Sequence, residues 1–262
     1  VELYEPAERA QDNDHLRGTV DVNWSNGPWA IRSLTGYVST ERLAEDQSYP
    51  GLGMGDALLT NFEANSRQFT QELQLSYTQS NLFWVAGAFF FDDSKDGRFD
   101  ITGNTFAAGA YSNDWSQDTT AYALFANATW TVLPDVDVNA GLRWSSESKD
   151  FESDVFVGAL FGGPTTLEPS GETEDENVSY DFGIDWRAWD DGMLFLNISR
   201  GFKSGGSNIA GIFQTTLEEF EPFDSEELQS YEIGLRSQWF DRRVTLNLTA
   251  FYYDYMDFQG FD

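Results

Sequence analysis

Apolar residues recur at every second position along Thr119–Ser145, TTAYALFANATWTVLPDVDVNAGLRWS. Tyr122, Leu124, Ala126, Ala128 and Trp130 share one parity in the first half, and Val136, Val138, Ala140, Leu142 and Trp144 do the same in the second. Asn127, Thr129, Asp137, Asn139, Gly141 and Arg143 fall between them. Side chains on a strand alternate between faces, so each half predicts a strand with one apolar and one polar side. Val132-Leu133-Pro134-Asp135 carries the turn chemistry that joins two such strands into a β-hairpin. The eight residues from Tyr122 to Trp130 span roughly 26 Å, about 20 Å after a tilt of ~40°. An outer-membrane strand crosses an apolar band of ~25 Å bounded by aromatic belts. A soluble sandwich or barrel, with the tryptophans in its core, fits this hairpin equally well.

The same alternation predicts about ten strands, near residues 15–24, 29–38, 67–77, 82–91, 119–130, 136–145, 177–186, 193–202, 228–237 and 244–255. Val1–Asp14 reads as the tail of a loop. Short turns are expected at Ser25–Pro28, Thr78–Asn81, Asp190–Gly192 and around Asp241-Arg242. Long loops are expected at Ser39–Ser66, Asp92–Asp118, Ser146–Glu176 and Lys203–Glu227. Leu82–Phe91 is apolar on both faces. Arg32 places its own parity toward water, although Leu34 and Val38 then share that side. Trp24, Tyr77, Trp130, Trp186 and Trp239 lie beside the short turns, and Tyr37, Tyr122, Trp144, Tyr231 and Tyr252 at the opposite ends. A soluble sandwich has no reason to sort its loops by length in this way. The expected fold is therefore all-β, an antiparallel transmembrane β-barrel with short periplasmic turns and long extracellular loops.

Composition agrees with this and narrows the function. The 262 residues carry 15 Lys+Arg against 44 Asp+Glu, a formal net charge of -29, which argues against a nucleic-acid partner. Such a balance favours a cationic ligand or divalent ions, or acidic loops that keep an exposed surface soluble. The absence of cysteine excludes disulfides and thiolate metal sites, and the single His15 excludes a multi-histidine centre. No apolar run reaches the ~18 residues of a membrane helix, a test that barrel strands escape. Without an initiating methionine or signal peptide at Val1, the chain reads as an internal or processed segment.

Three segments carry a family resemblance: Phe69–Leu75 (FTQELQL), Ser199–Gly206 (SRGFKSGG) and Tyr231–Ser237 (YEIGLRS). Together with the hairpin ending Gly141-Leu142-Arg143-Trp144, they resemble segments of TonB-dependent outer-membrane receptors. The resemblance covers most strands and none of the long loops. It implies a plug domain inside a 22-stranded barrel and active import of a scarce ligand: siderophore-iron, cobalamin or an oligosaccharide. It also implies energy from TonB and its inner-membrane motor complex, and a surrounding of outer-membrane lipid and lipopolysaccharide in a Gram-negative bacterium. Neither a plug nor a terminal strand ending in an aromatic is recognised, so residues 1–262 are expected to be a middle portion of such a barrel. A passive porin-like channel and a secreted soluble β-domain binding glycan or protein are the rival readings.

No nucleophile–histidine pair or phosphate-cradling loop is present, and in so acidic a chain no carboxylate pair stands out as catalytic, so an enzyme is not expected. Ligand contacts are expected from the polar face, at Glu72, Asp137, Asn139, Arg143, Asp181 and Asp185, and from the loop aromatics Tyr111, Trp115, Phe161 and Phe213. The run Asp92–Asp100 (DDSKDGRFD) partly resembles a calcium loop, with Asp92, Asp96 and Asp100 as ligands, but Gly103 stands where a bidentate Glu belongs. No other cofactor is indicated.

Overall fold

The computed structural model describes residues 9–48, 58–103, 111–158, 163–208 and 215–260. These residues form strands β1 (Arg9–Asn26), β2 (Trp29–Ser48), β3 (Leu58–Gln79), β4 (Leu82–Gly103), β5 (Tyr111–Leu133) and β6 (Val136–Val157). They continue with β7 (Thr165–Leu167), β8 (Ser170–Trp189), β9 (Gly192–Lys203), β10 (Glu226–Trp239) and β11 (Val244–Met256). Apart from one 3-10 turn, Leu217–Phe220, no helix occurs among the described residues. All neighbours pair antiparallel in chain order, from β1 to β11, with the short β7 pairing β6 beside the main path. Short turns and long connections alternate, as the pattern predicts.

Each short turn has a local cause. Gly27 closes the first hairpin with φ 58°, a conformation that costs glycine nothing. Pro134-Asp135 closes β5–β6, and the register slips by one residue between Thr131 and Leu133, which makes a bulge at that rim.

Register carries one face continuously across the sheet. The pairs Trp24↔Ile31, Ile31↔Leu75, Leu75↔Ala86, Ala86↔Ala126, Ala126↔Leu142, Leu142↔Tyr180 and Leu196↔Ile233 share that face. It is apolar and open to the surroundings: Leu124 is 58% exposed and Leu142 57%. Aromatic rings gather at both of its margins. At the short turns, Trp29 contacts Tyr77 at 4.7 Å and Trp84 at 5.7 Å, and Trp189 lies 6.2 Å from Trp239. At the far margin, Phe90 lies 6.1 Å from Phe69 and 5.2 Å from Tyr122, and Tyr231 lies 6.4 Å from Tyr252. An exposed apolar band between aromatic rings is the outer surface of a membrane barrel.

The opposite face, called inward below, takes the polar residues. Arg32 lies there and binds Asp21 through two hydrogen bonds of 3.0 and 2.9 Å. Its parity therefore faces water, as expected, and Leu34 and Val38 share that side. His15, at the start of the band, meets the Thr40 hydroxyl at 2.9 Å.

The strands run much further than the alternation suggested. Residues read as loop in 9–14, 39–48, 58–66, 92–103, 111–118, 146–157 and 170–176 are strand. Parity persists through these extensions, and across β3–β6 the polarity of the faces reverses. In β6, Asp150, Glu152 and Asp154 now point outward, while Phe151, Val155 and Val157 point inward and are buried. Past the membrane the outer face meets water, and the apolar residues must find one another instead. Ile101, Tyr111, Val155, Val157 and Phe220 form that core, with Phe99 and Leu167 against it.

Phe220 reaches the core from the 3-10 turn, which Thr216 caps; the Glu219 carboxylate accepts from the Thr215 and Thr216 amides at 2.6 and 2.8 Å. Burial raises the Glu219 pKa, but these bonds and one from the Thr216 hydroxyl outweigh it, so the carboxyl is held below its ordinary 4.5.

Candidate functional site

All six polar-face candidates lie inward, and they divide into two groups. Asp137, Asn139 and Asp185 sit near the short-turn rim, where neighbouring strands satisfy them. The Thr131 hydroxyl and Arg187 Nη1 each donate to Asp137 at 2.6 Å. Thr129 donates to Asn139 Oδ1 at 2.8 Å, and Asn139 Nδ2 donates to Asp185 at 3.3 Å. A second arm of Arg187 reaches the Pro134 carbonyl at 3.1 Å. This closed network ties the β5–β6 and β8–β9 turns together.

Glu72, Arg143 and Asp181 form the other group. With Phe125 and Asn127 they line a hollow of about 600 Å³ on the inward face, reaching from β3 to β9. That span requires the sheet to curve around it. Gly141 lies between Asn127 and Asp181, and a Cβ there would meet both side chains.

Arg143 stands over two rings, its guanidinium 5.5 Å from the centre of Phe89 and 5.9 Å from that of Phe125. Its Nε donates to the Ser145 hydroxyl at 3.0 Å. It also lines a second hollow, of about 270 Å³, with Phe89, Phe91, Ser145, Glu147 and Asp175. The connection after β9 borders this space: Lys149 Nζ donates to the Gly205 carbonyl at 2.6 Å, and the Gly205 amide to Asp175 at 2.9 Å. Lys149 also pairs with Glu147 at 2.7 Å.

The aromatic candidates fare differently. Tyr111 opens β5 and is 1% exposed in the core, so it has no free face for a ligand. Trp115 is also a strand residue; its ring lies against Gly97 on β4, where a Cβ would meet it at 2.5 Å. Phe161 and Phe213 lie outside the described residues.

The calcium candidates do not converge either. Asp92, Asp96 and Asp100 fall on one face of β4, paired with Phe69, Asn65 and Asn61. Eight strand residues hold the outer two roughly 26 Å apart, whereas a calcium loop folds its ligands around one ion. Asp100 instead accepts from Arg98 Nε at 2.6 Å. Among the described residues no group of three or more acidic or histidine side chains is arranged to hold a metal.

Alternation in polarity does not mark Phe89, Phe91 and Phe125, because they are apolar residues on the polar face. For Phe89 and Phe91 the signal is the run Leu82–Phe91, apolar on both parities; Phe125 lies outside it. A third hollow, of about 610 Å³, is lined by Glu63, Asp96, Asp114, Glu152 and Asp154 around Arg98. Those carboxylates have outward parity beyond the membrane band, the Trp115 candidate also lines this hollow, and Arg98 already binds Asp114 at 2.8 Å.

Residues 3–262 match the family model for the TonB dependent receptor-like beta-barrel. The chain belongs to the TonB-dependent receptors. It is thus an outer-membrane protein of the Gram-negative type, in a family of receptors rather than enzymes. The pesticin receptor of Yersinia enterocolitica is 29% identical over 137 residues, 52% of this chain and 19% of the relative; that of Yersinia pestis aligns to the same extent. The ferric yersiniabactin uptake receptor of Yersinia pestis has the same fold, with a TM-score of 0.76 at 18% identity, covering 97% of this chain and 37% of that one. A siderophore receptor of Acinetobacter baumannii superposes with a TM-score of 0.63 at 15% identity, covering 92% and 40%. This receptor chain therefore spans well under half the length of the relatives it matches.

Proposed function

We propose that the protein of which this chain forms part of the barrel wall imports an iron chelate across the outer membrane, with energy delivered through TonB. The observation that supports this most is the family match along residues 3–262, joined to a fold shared with receptors for ferric siderophores. The inward face suits such a role, since it combines a hydrated polar wall with an aromatic and cationic recess beneath the long connections. Cobalamin and oligosaccharides are the competing cargoes.

The test is uptake of radioactive iron, supplied as a panel of ferric siderophores, by a deletion strain and its complemented parent. Accumulation that needs the gene, and stops on removing TonB or collapsing the proton-motive force, supports the proposal. Gene-dependent accumulation that survives both treatments assigns a passive channel instead. Iron uptake independent of the gene, with a defect in cobalamin or oligosaccharide uptake, would reassign the cargo.

A further inference from the structure

We infer that the lipid-facing surface of β2 and β3 is where a second copy of this receptor docks within the membrane. Between the aromatic margins the outward side chains of the described strands are apolar, with two breaks. One is Ser237, beside Trp239 at the short-turn rim, whose hydroxyl is occupied by the Leu246 carbonyl and the Trp239 indole. The other is a group of three: Ser33, Thr35 and Gln71. Ser33 lies four residues from Trp29 and four from Tyr37, about 13 Å along the strand from either margin. That is the depth of hydrocarbon.

Register sets Thr35 beside Gln71. Thr35 Oγ1 donates to Gln71 Oε1 at 2.6 Å, and Gln71 Nε2 donates to Ser33 Oγ at 3.1 Å and to the Glu72 carbonyl at 3.2 Å. Both amide hydrogens are thereby used. The Ser33 hydroxyl hydrogen and a lone pair on each of Gln71 Oε1 and Thr35 Oγ1 are left over. Lipid tails offer nothing to meet them. All three side chains are half-buried, so they can be reached from the bilayer. Both strands have their neighbours in place, β1 and β4, and this face turns away from the lumen. Neither the contents of the barrel nor the strands that complete its wall lie against it.

The leftover groups point to the occupant. A donor and two acceptors on one patch can bond to the image of that patch, which is what a two-fold interface between identical chains requires. An acyl chain at this depth brings neither donor nor acceptor. Lipid is as apolar as leucine, so association inside a bilayer draws on hydrogen bonds and close packing rather than on the hydrophobic effect. The surface beside the patch permits that packing. Ala86 and Ala88 on β4, with Ala126 and Ala128 behind them on β5, keep it low enough for two walls to approach. By contrast, β8 presents Tyr180, Phe182, Ile184 and Trp186 to the bilayer and no polar group between them.

The test places the full-length receptor in phospholipid vesicles over a range of protein-to-lipid ratios and counts copies by single-molecule photobleaching. Wild type should form dimers reversibly as its density rises. Gln71→Leu and Thr35→Val should weaken association about 5- to 30-fold, the scale of a hydrogen bond made between partners in lipid. Thr35→Ser, which keeps the hydroxyl, should stay within twofold of wild type. A role confined to holding β2 against β3 is told apart by urea titration at monomeric density, where Gln71→Leu should unfold at no lower urea than wild type. Cross-linking leaves the triad untouched and so decides even if its variants do not fold. This chain has no cysteine, and oxidation should join copies carrying Leu73→Cys, whose residue pairs with Ser33, but not copies carrying Phe182→Cys on β8. Wild type that stays monomeric at the highest density overturns the proposal. So do association within twofold of wild type in both Gln71→Leu and Thr35→Val, a loss of stability in Gln71→Leu without a loss of dimer, and equal cross-linking from the two cysteine positions.

Discussion

Leu142 lies at the middle of the apolar band, and arginine there tests which side of the sheet meets hydrocarbon. It is four residues from Val138 and four from Ser146, about 13 Å along the strand from either margin. It pairs with Ala126 and Tyr180 on the outward face and is 57% exposed, so nothing in the protein could solvate a new guanidinium. A lipid-facing arginine at that depth costs ~2–4 kcal/mol, roughly a 30- to 900-fold loss in the folding equilibrium. Val138→Arg, level with Trp130 at the belt, should cost only ~0–1 kcal/mol. Asn127→Arg, one residue from Ala126 but inward and in a hollow with Asp181, should change stability by about 0.5 kcal/mol or less. Urea titration of the full-length receptor folded into phospholipid vesicles, read by the mobility difference between heated and unheated samples, measures all three. If Asn127→Arg costs more than Leu142→Arg, the faces are reversed and the membrane assignment fails.

Three further outcomes follow from the region beyond the membrane. Phe220→Ala removes a side chain 2% exposed in the outer core, so the local loss should be about 3–5 kcal/mol; limited proteolysis should cut residues 204–225 faster while the membrane band stays folded. Gly97→Ala places a Cβ 2.5 Å from the Trp115 ring and 2.7 Å from the Glu63 carbonyl, which should cost about 1–3 kcal/mol and raise hydrogen exchange in the outer halves of β3–β5. Glu219 has a lowered pKa in the folded state, so its contribution is complete above 4.5 and is lost as pH falls through the folded value. Protection of the Thr216 amide, its exchange rate divided by the intrinsic rate at the same pH, should therefore fall on going from pH 6 to the acid side of 4.5, and Glu219→Ala should abolish that change in protection.

How much the sequence disclosed depended on which solvent each face meets. Between the aromatic margins, Leu124, Leu142 and Ile233 face outward and Asn139 and Asp181 inward, so alternation reports the fold directly. Beyond the margins, Asp150-Phe151-Glu152 keeps the same parity with the polarity exchanged, and a search for outward apolar residues mistakes it for a loop. The acids that made residues 92–103 look like a metal loop are the water-facing side of β4. The site was legible only as far as polarity marks it. Arg143 and Asp181 were visible as polar residues on the inward face. Phe89, Phe91 and Phe125 were not, because an apolar side chain lining a wet interior looks like one more lipid contact. Their meeting with Arg143 depends on three strands coming side by side, which register decides.

The most direct test is a nitroxide scan along β6 from Asp137 to Ser146 in vesicles. It compares collision with oxygen, which concentrates in hydrocarbon, against collision with a water-soluble nickel chelate. Labels at Val138, Ala140, Leu142 and Trp144 should meet oxygen most, peaking near Leu142, while those at Asp137, Asn139, Gly141 and Arg143 should show the lower oxygen contact of a face turned from lipid. Loss of the two-residue period, or a Leu142 label shielded from both reagents, would contradict a sheet whose apolar side looks into the bilayer.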